Sequence, residues 1–210
     1  MNTTTTTDLA TTAKSALDRL NRSLETSDLD AIVRGRSRRS LLLVDCSGSM
    51  NETVKSGKRK IDALRSVVEE LRSTHPVPVA SFGGLNHNPM LVDSVPEPSG
   101  CTPLHLAIDF GRVEGANHLV IVTDGQPDSA DAAFNSAREF KGPCDVFYIG
   151  DGNDEGSRFA SRLAKLTGGT VNLTDLGQPK ALAAKIAGFL GDGTVATAAA
   201  AARQMGSGTV

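Results

Sequence analysis

The sequence predicts a layered α/β domain, and three observations carry that reading. Between residues 41 and 183 one theme recurs, a short apolar run followed by a pattern of helical period, which is how strands and helices alternate in a layered sheet rather than in a sandwich or a bundle. The runs Leu41–Val44 and Leu119–Val122 are unbroken apolar, as expected of strands buried on both faces. With 210 residues, 39% of them hydrophobic, the chain is long enough to enclose a sizeable core, and its composition excludes collagen, coiled coil and wholesale disorder.

The elements follow in order. Residues 1–7 hold five consecutive threonines and read as a loose end. From Asp8 the apolar residues Leu9, Ala13, Ala16, Leu17, Leu20 and Leu24 recur at steps of three and four, so a helix over residues 8–26 is expected, docked through its leucines. The basic stretch Arg34–Arg39 reads as a solvated connector into the first strand, Leu41–Val44. Ile61, Leu64, Val68 and Leu71 form a helical stripe that ends before His75 and Pro76. Val77–Phe82 is the second strand, and Met90–Val95, bracketed by Pro89 and Pro96, is expected at a sheet edge because proline interrupts pairing. A helix opens at Thr102 and Pro103, with Thr102 as its cap. Leu119–Thr123 is the next buried strand, followed by a helix marked by Ala130, Ala133, Phe134 and Ala137. Val146–Ile149, then a helix through Phe159, Leu163 and Leu166 closed by Gly168 and Gly169, then Val171–Leu173 and a helix through Leu182, Ile186 and Phe189 complete the series. The total is about six strands and six or seven helices. Three segments result: a tail with an amphipathic helix over 1–37, the α/β domain over 38–190, and an Ala- and Gly-rich tail over 191–210 in which a helix alone would be marginal.

A formal net charge of -2 gives no domain-wide attraction to polyanions, so no nucleic-acid partner is expected. The apolar runs fall far short of the roughly 20 residues needed to span a bilayer. The N-terminus lacks a basic-then-apolar leader pattern, and a cytoplasmic location without membrane contact is expected. Three cysteines, Cys46, Cys101 and Cys144, are an odd count that argues for reduced thiols.

The chemistry concentrates in three words, Val44-Asp-Cys-Ser-Gly-Ser-Met50, Gly100-Cys-Thr-Pro103 and Val122-Thr-Asp-Gly-Gln-Pro127, each placed where a strand ends or a helix begins. In an open α/β sheet such loops gather at the carboxyl edge of the strands, so the three can converge. Together they offer hard oxygen donors: the carboxylates of Asp45 and Asp124 and the hydroxyls of Ser47, Ser49 and Thr102. Two carboxylates crowded together repel unless a cation lies between them, and neutral hydroxyls around them suit a small hard divalent ion, magnesium best of all. Gly48 permits close loop approach.

Other chemistries fit less well. An aspartyl-phosphate site wants a second acid two residues after Asp45, where Ser47 stands. A nucleophile elbow wants Gly-x-Ser-x-Gly, which Asp45–Ser49 does not supply. The run from Asp151 begins like a calcium loop, but its twelfth position is Arg162, so it reads as a helix-opening turn. Cys101 and His105 lack further ligands at zinc spacing. No base is paired with a nucleophile in the sequence, and an enzyme is not expected.

The pattern Asp45-x-Ser47-x-Ser49 with Thr102 and Asp124 resembles the metal-ion-dependent adhesion site of the von Willebrand factor A domain family, over roughly residues 38–190. The resemblance implies a Rossmann-like, doubly wound sheet, mostly parallel with one antiparallel edge strand and helices on both faces. It implies Mg2+ or Mn2+ held directly by Ser47 and Ser49, by Thr102 directly or through water, and by Asp45 and Asp124 largely through water. An Asp or Glu of a partner protein would complete the shell. The expected function is therefore a non-catalytic, divalent-cation-dependent protein-binding module, of the kind that serves as an adaptor to AAA+ ATPases or in stress-response complexes. The alternative is a structural component of a large assembly, a virion or filament, with the metal as a fold staple and self-association through the terminal segments. Cys46 and Cys101 are expected close together beneath the site.

Overall fold

The computed structural model describes residues 38–54, 57–84, 88–150, 152–174 and 176–190. The expected helix over 8–26 and the tail 191–210 lie outside the described residues. The chain divides into two units, Met1–Ser37 and Arg38–Val210, and the described residues belong to the second.

Among the described residues six strands form one sheet: β1 (Ser40–Cys46), β2 (Val79–Gly83), β3 (Met90–Leu91), β4 (His118–Thr123), β5 (Cys144–Ile149) and β6 (Val171–Thr174). Their spatial order is β3-β2-β1-β4-β5-β6, all parallel except β3, which runs antiparallel to β2 at one edge. Five α-helices of the described residues cover the two faces: α1 (Lys60–Thr74), α2 (Leu104–Val113), α3 (Ala130–Phe140), α4 (Glu155–Thr167) and α5 (Pro179–Leu190). This is the doubly wound architecture the sequence implies.

The alternation along β1 sorts its side chains between two cores. Leu42, Val44 and Cys46 pack with Ile61, Leu64 and Val68 of α1 and Leu182 and Ile186 of α5. Leu41 and Leu43 pack on the other face with Leu104 and Ile108 of α2, Phe134 of α3 and Phe159 of α4. Because both faces are covered, every residue of β1 and β4 is buried, which is why these strands read as continuous apolar runs.

Several strands extend a residue or two beyond the apolar runs that mark them, and three boundaries differ for a physical reason. The second strand starts at Val79, since Pro76 and Pro78 cannot donate to the ladder. The edge strand pairs only over Met90–Leu91. Beyond it the carbonyls of Val92 and Val95 turn to Arg72 and Arg65 of α1, which takes them away from strand pairing. Thr102 does not cap α2: the cap position is Pro103 and the helix begins at Leu104. The turn before α4 is a helix opening as expected, with Asp154 accepting from Ser157 N at 2.7 Å, and Gly168 at φ 74° closes that helix.

Candidate metal centre

β2 and β4 flank β1 on opposite sides, so the chain reverses its direction of winding there and leaves a crevice at the carboxyl ends of β1 and β4. Asp45 stands one residue from the end of β1 and is fully buried. Its Oδ1 accepts from Ser47 N at 2.8 Å, which folds the chain back after the strand, and its Oδ2 accepts from Thr123 Oγ1 at 2.6 Å, from the last residue of β4. Burial pushes the Asp45 carboxyl up to about 6, against the hydrogen bonds from Thr123 and Ser47, and the nearby charge of Asp124 pushes the same way as burial. A carboxylate so far from water is costly unless a cation lies close.

The turn Gly48–Asn51 then carries the hydroxyls across the crevice. Ser49 Oγ donates to Asp124 Oδ1 at 2.7 Å, and Ser47 Oγ lies 3.1 Å from Ser49 Oγ. Since the Ser49 proton is committed to Asp124, the contact between the serines runs from Ser47 to Ser49. Both hydroxyl oxygens keep lone pairs. Asp45, Ser47, Ser49 and Asp124 thus form one hydrogen-bonded line from β1 to β4.

Thr102 joins this line through the backbone. Gly48 N donates to Gly100 O at 3.1 Å, and Ser99 N to Cys46 O at 2.9 Å, so the Gly100–Thr102 segment lies against the β1 loop. Thr102 itself is buried, its N held by Asp128 Oδ1 at 2.8 Å and its O accepting from Leu104 N and Asp128 N. Those contacts engage the main chain and not the hydroxyl. Gly83 makes the convergence possible: at φ 80° a Cβ there would stand 2.8 Å from Ser47 N and 2.9 Å from Cys101 O. The backbones of Cys46 and Cys101 are brought together at this glycine, with Cys46 buried and Cys101 exposed.

Two participants escaped the sequence reading. Thr123 orients Asp45, and its role is visible only once β1 and β4 are paired. Lys60, the first residue of α1, places Nζ 2.7 Å from Asp124 Oδ2 and 2.6 Å from Glu52 Oε2. Burial alone would lower this ammonium's pKa, but the two carboxylates outweigh it and raise it. In the sequence Lys60 looks like any charged residue opening an amphipathic helix. Tyr148 OH adds a brace, donating to Asp154 Oδ1 at 2.8 Å and lying 3.3 Å from Asp124 O.

Among the described residues no three His, Cys, Asp or Glu side chains cluster in a way that could hold a metal. The donor set at the crevice is of another kind, two carboxylates and neutral hydroxyls. The Lys60 ammonium already pairs with one of these carboxylates, Asp124. These residues fit a hard divalent ion.

At the opposite edge of the sheet a second polar line is buried. Ser40 Oγ lies 2.8 Å from His118 Nδ1, and His118 Nε2 lies 2.7 Å from Asp145 Oδ2. A serine, a histidine and a carboxylate in series are the elements of a nucleophilic triad, which the sequence reading did not find. Here Ser40 is buried and lies 3.2 Å from Leu190 O, and Asp145 Oδ1 accepts from the N and Oγ1 of Thr170. The line ties the amino ends of β1, β4 and β5 to the loop before β6.

No protein-family model and no curated protein matches the sequence. Among solved structures the chain is similar to a von Willebrand factor type A protein from Catenulispora acidiphila, with a TM-score of 0.55 at 16% identity, over 72% of this chain and 42% of that one. The chain thus spans less than half the length of that structure, and the likeness establishes a von Willebrand factor A-like fold.

Proposed function

We propose that the protein is a divalent-cation-dependent protein-binding module, non-catalytic, in which Asp45, Ser47, Ser49, Thr102 and Asp124 hold Mg2+ or Mn2+ and an Asp or Glu of a partner completes the shell. The observation that carries this reading is the hydrogen-bonded line Asp45–Ser47–Ser49–Asp124 at the sheet's crevice, anchored on a carboxylate with no access to water. The bound ion would supply an electrophilic face: with neutral hydroxyls around it, it keeps attraction for an incoming carboxylate and repels Lys or Arg. Folds of this kind often serve as interaction modules, and an adaptor role in an intracellular, AAA+ ATPase or stress-response complex accords with it. Among the described residues no helix is long and apolar enough to cross a membrane.

The test is capture of partner proteins on the full chain in millimolar Mg2+ and in EDTA, with wild type and Thr102→Ala. Partners retained in Mg2+ and lost in EDTA, and weakened by Thr102→Ala with the fold intact, support the module. Equal retention in all conditions would make the site a fold staple and place the interaction surface elsewhere.

A further inference from the structure

We propose that Lys60 is the internal counter-cation of this site: its ammonium is seated on Asp124, a divalent ion must displace it, and Lys60 thereby sets how strongly the site takes up metal. The inference rests on the metal-binding reading above. The position of Lys60 is by itself unfavourable for a cation. A lysine at the first residue of a helix puts its charge at the positive end of the helix dipole, and the flanking cap, Arg59, makes no side-chain cap bond there. The ammonium is nevertheless fixed, only 16% exposed, by Asp124 at 2.7 Å and Glu52 at 2.6 Å.

The two acceptors differ. The Asp124 side chain is fully buried, whereas that of Glu52 is 68% exposed. Ser49 donates to Oδ1 and Lys60 to Oδ2, so an ion that draws on Asp124, directly or through water, brings a second cation to the carboxylate that Lys60 already neutralises. Two cations on one carboxylate repel strongly where water is excluded. Glu52 provides the second seat. It is anchored beside the site by Glu52 N donating to Ser49 O at 3.0 Å, and Lys60 N donates to Glu52 O at 2.8 Å. On metal uptake the Lys60–Asp124 pair breaks, the Lys60–Glu52 pair remains, and the ammonium moves toward solvent without leaving the rim.

Calorimetric titration of Mn2+ into the full chain tests this with wild type, Lys60→Met and Glu52→Gln. Lys60→Met is expected to bind Mn2+ about tenfold more tightly than wild type, or more, because the competing charge is gone. Glu52→Gln is expected to bind more weakly, because the ammonium then has Asp124 as its remaining carboxylate. Melting in EDTA adds a second reading: Lys60→Met should melt below wild type, with Asp124 left unpaired, and should gain more on Mn2+ addition. Mn2+ binding by wild type with equal or weaker binding by Lys60→Met overturns the role of Lys60 and leaves the metal site standing. Absence of Mn2+ binding in all three folded proteins overturns both. Should Lys60→Met not fold without metal, unchanged affinity in Glu52→Gln overturns the proposal.

Discussion

Asp145 is held below the ordinary carboxylate range although burial pulls it the other way, because hydrogen bonds from His118 and Thr170 favour its charged form more than burial opposes it. A carboxyl whose folded value lies below its unfolded one stabilises the fold above about pH 4 and loses that contribution as pH falls through the folded value. Asp145→Asn is therefore expected to cost about 2 kcal/mol at neutral pH, since the amide keeps an acceptor for the Thr170 donors but replaces the carboxylate oxygen that faces His118. The same variant should flatten the acid limb of a stability-against-pH curve measured by urea unfolding. An unchanged acid limb would show that the charged Asp145 carboxylate, which faces His118, Arg38 and Thr170, contributes nothing. At this scale the sequence was legible where chemistry is written locally. Ser47 and Ser49 are named by their spacing from Asp45, and Asp124 by the strand it follows. Lys60, Thr123 and the Ser40–His118–Asp145 line were not legible, because each partner lies tens of residues away and only the pairing of β4 with β1 and β5, and the packing of α1 beside them, brings them together.

Gly83 shows how an element, rather than a side chain, positions the site. At its positive φ, a Cβ would meet the backbone of Ser47, Cys101 and Cys46 at 3.0 Å or less, and backbone cannot yield as a side-chain tip can. Gly83→Ala is expected to cost about 3 kcal/mol and to blunt any stabilisation by Mg2+, because the β1 loop and the Gly100–Thr102 segment must part. A variant that melts like wild type in both EDTA and Mg2+ would remove Gly83 from the account. Lys141 tests the opposite case. It ends α3 in the left-handed region at φ 57° and is exposed, so Lys141→Gly should raise stability by about 1 kcal/mol. Strand and helix existence was readable from period and apolar runs, whereas ends were not. The short β3 is set by arginines reaching from α1, and the start of α2 by the turn at Pro103, neither of which leaves a periodic trace.

Across the whole molecule, topology carries the functional argument. The strand order turns at β1 and β4, and three loops distant in sequence meet at that one edge. The opposite edge carries a polar line whose hydroxyl is sealed, so the two ends of the sheet are chemically distinct. The fold class was legible because both faces of the sheet are covered and the strands are correspondingly apolar. The seating of Lys60 on the site was not, since it depends on where α1 begins against β4. The central claim, that the crevice binds a divalent cation, is tested most directly by the melting midpoint of the full chain in millimolar Mg2+ against EDTA, for wild type and Asp45→Ala. Ligation in the folded state alone stabilises by about 2.7 kcal/mol at a free ion concentration 100 times the dissociation constant. Wild type is expected to melt several degrees higher in Mg2+ and Asp45→Ala to show no such shift. A wild-type midpoint that is the same in Mg2+ and EDTA would contradict the account.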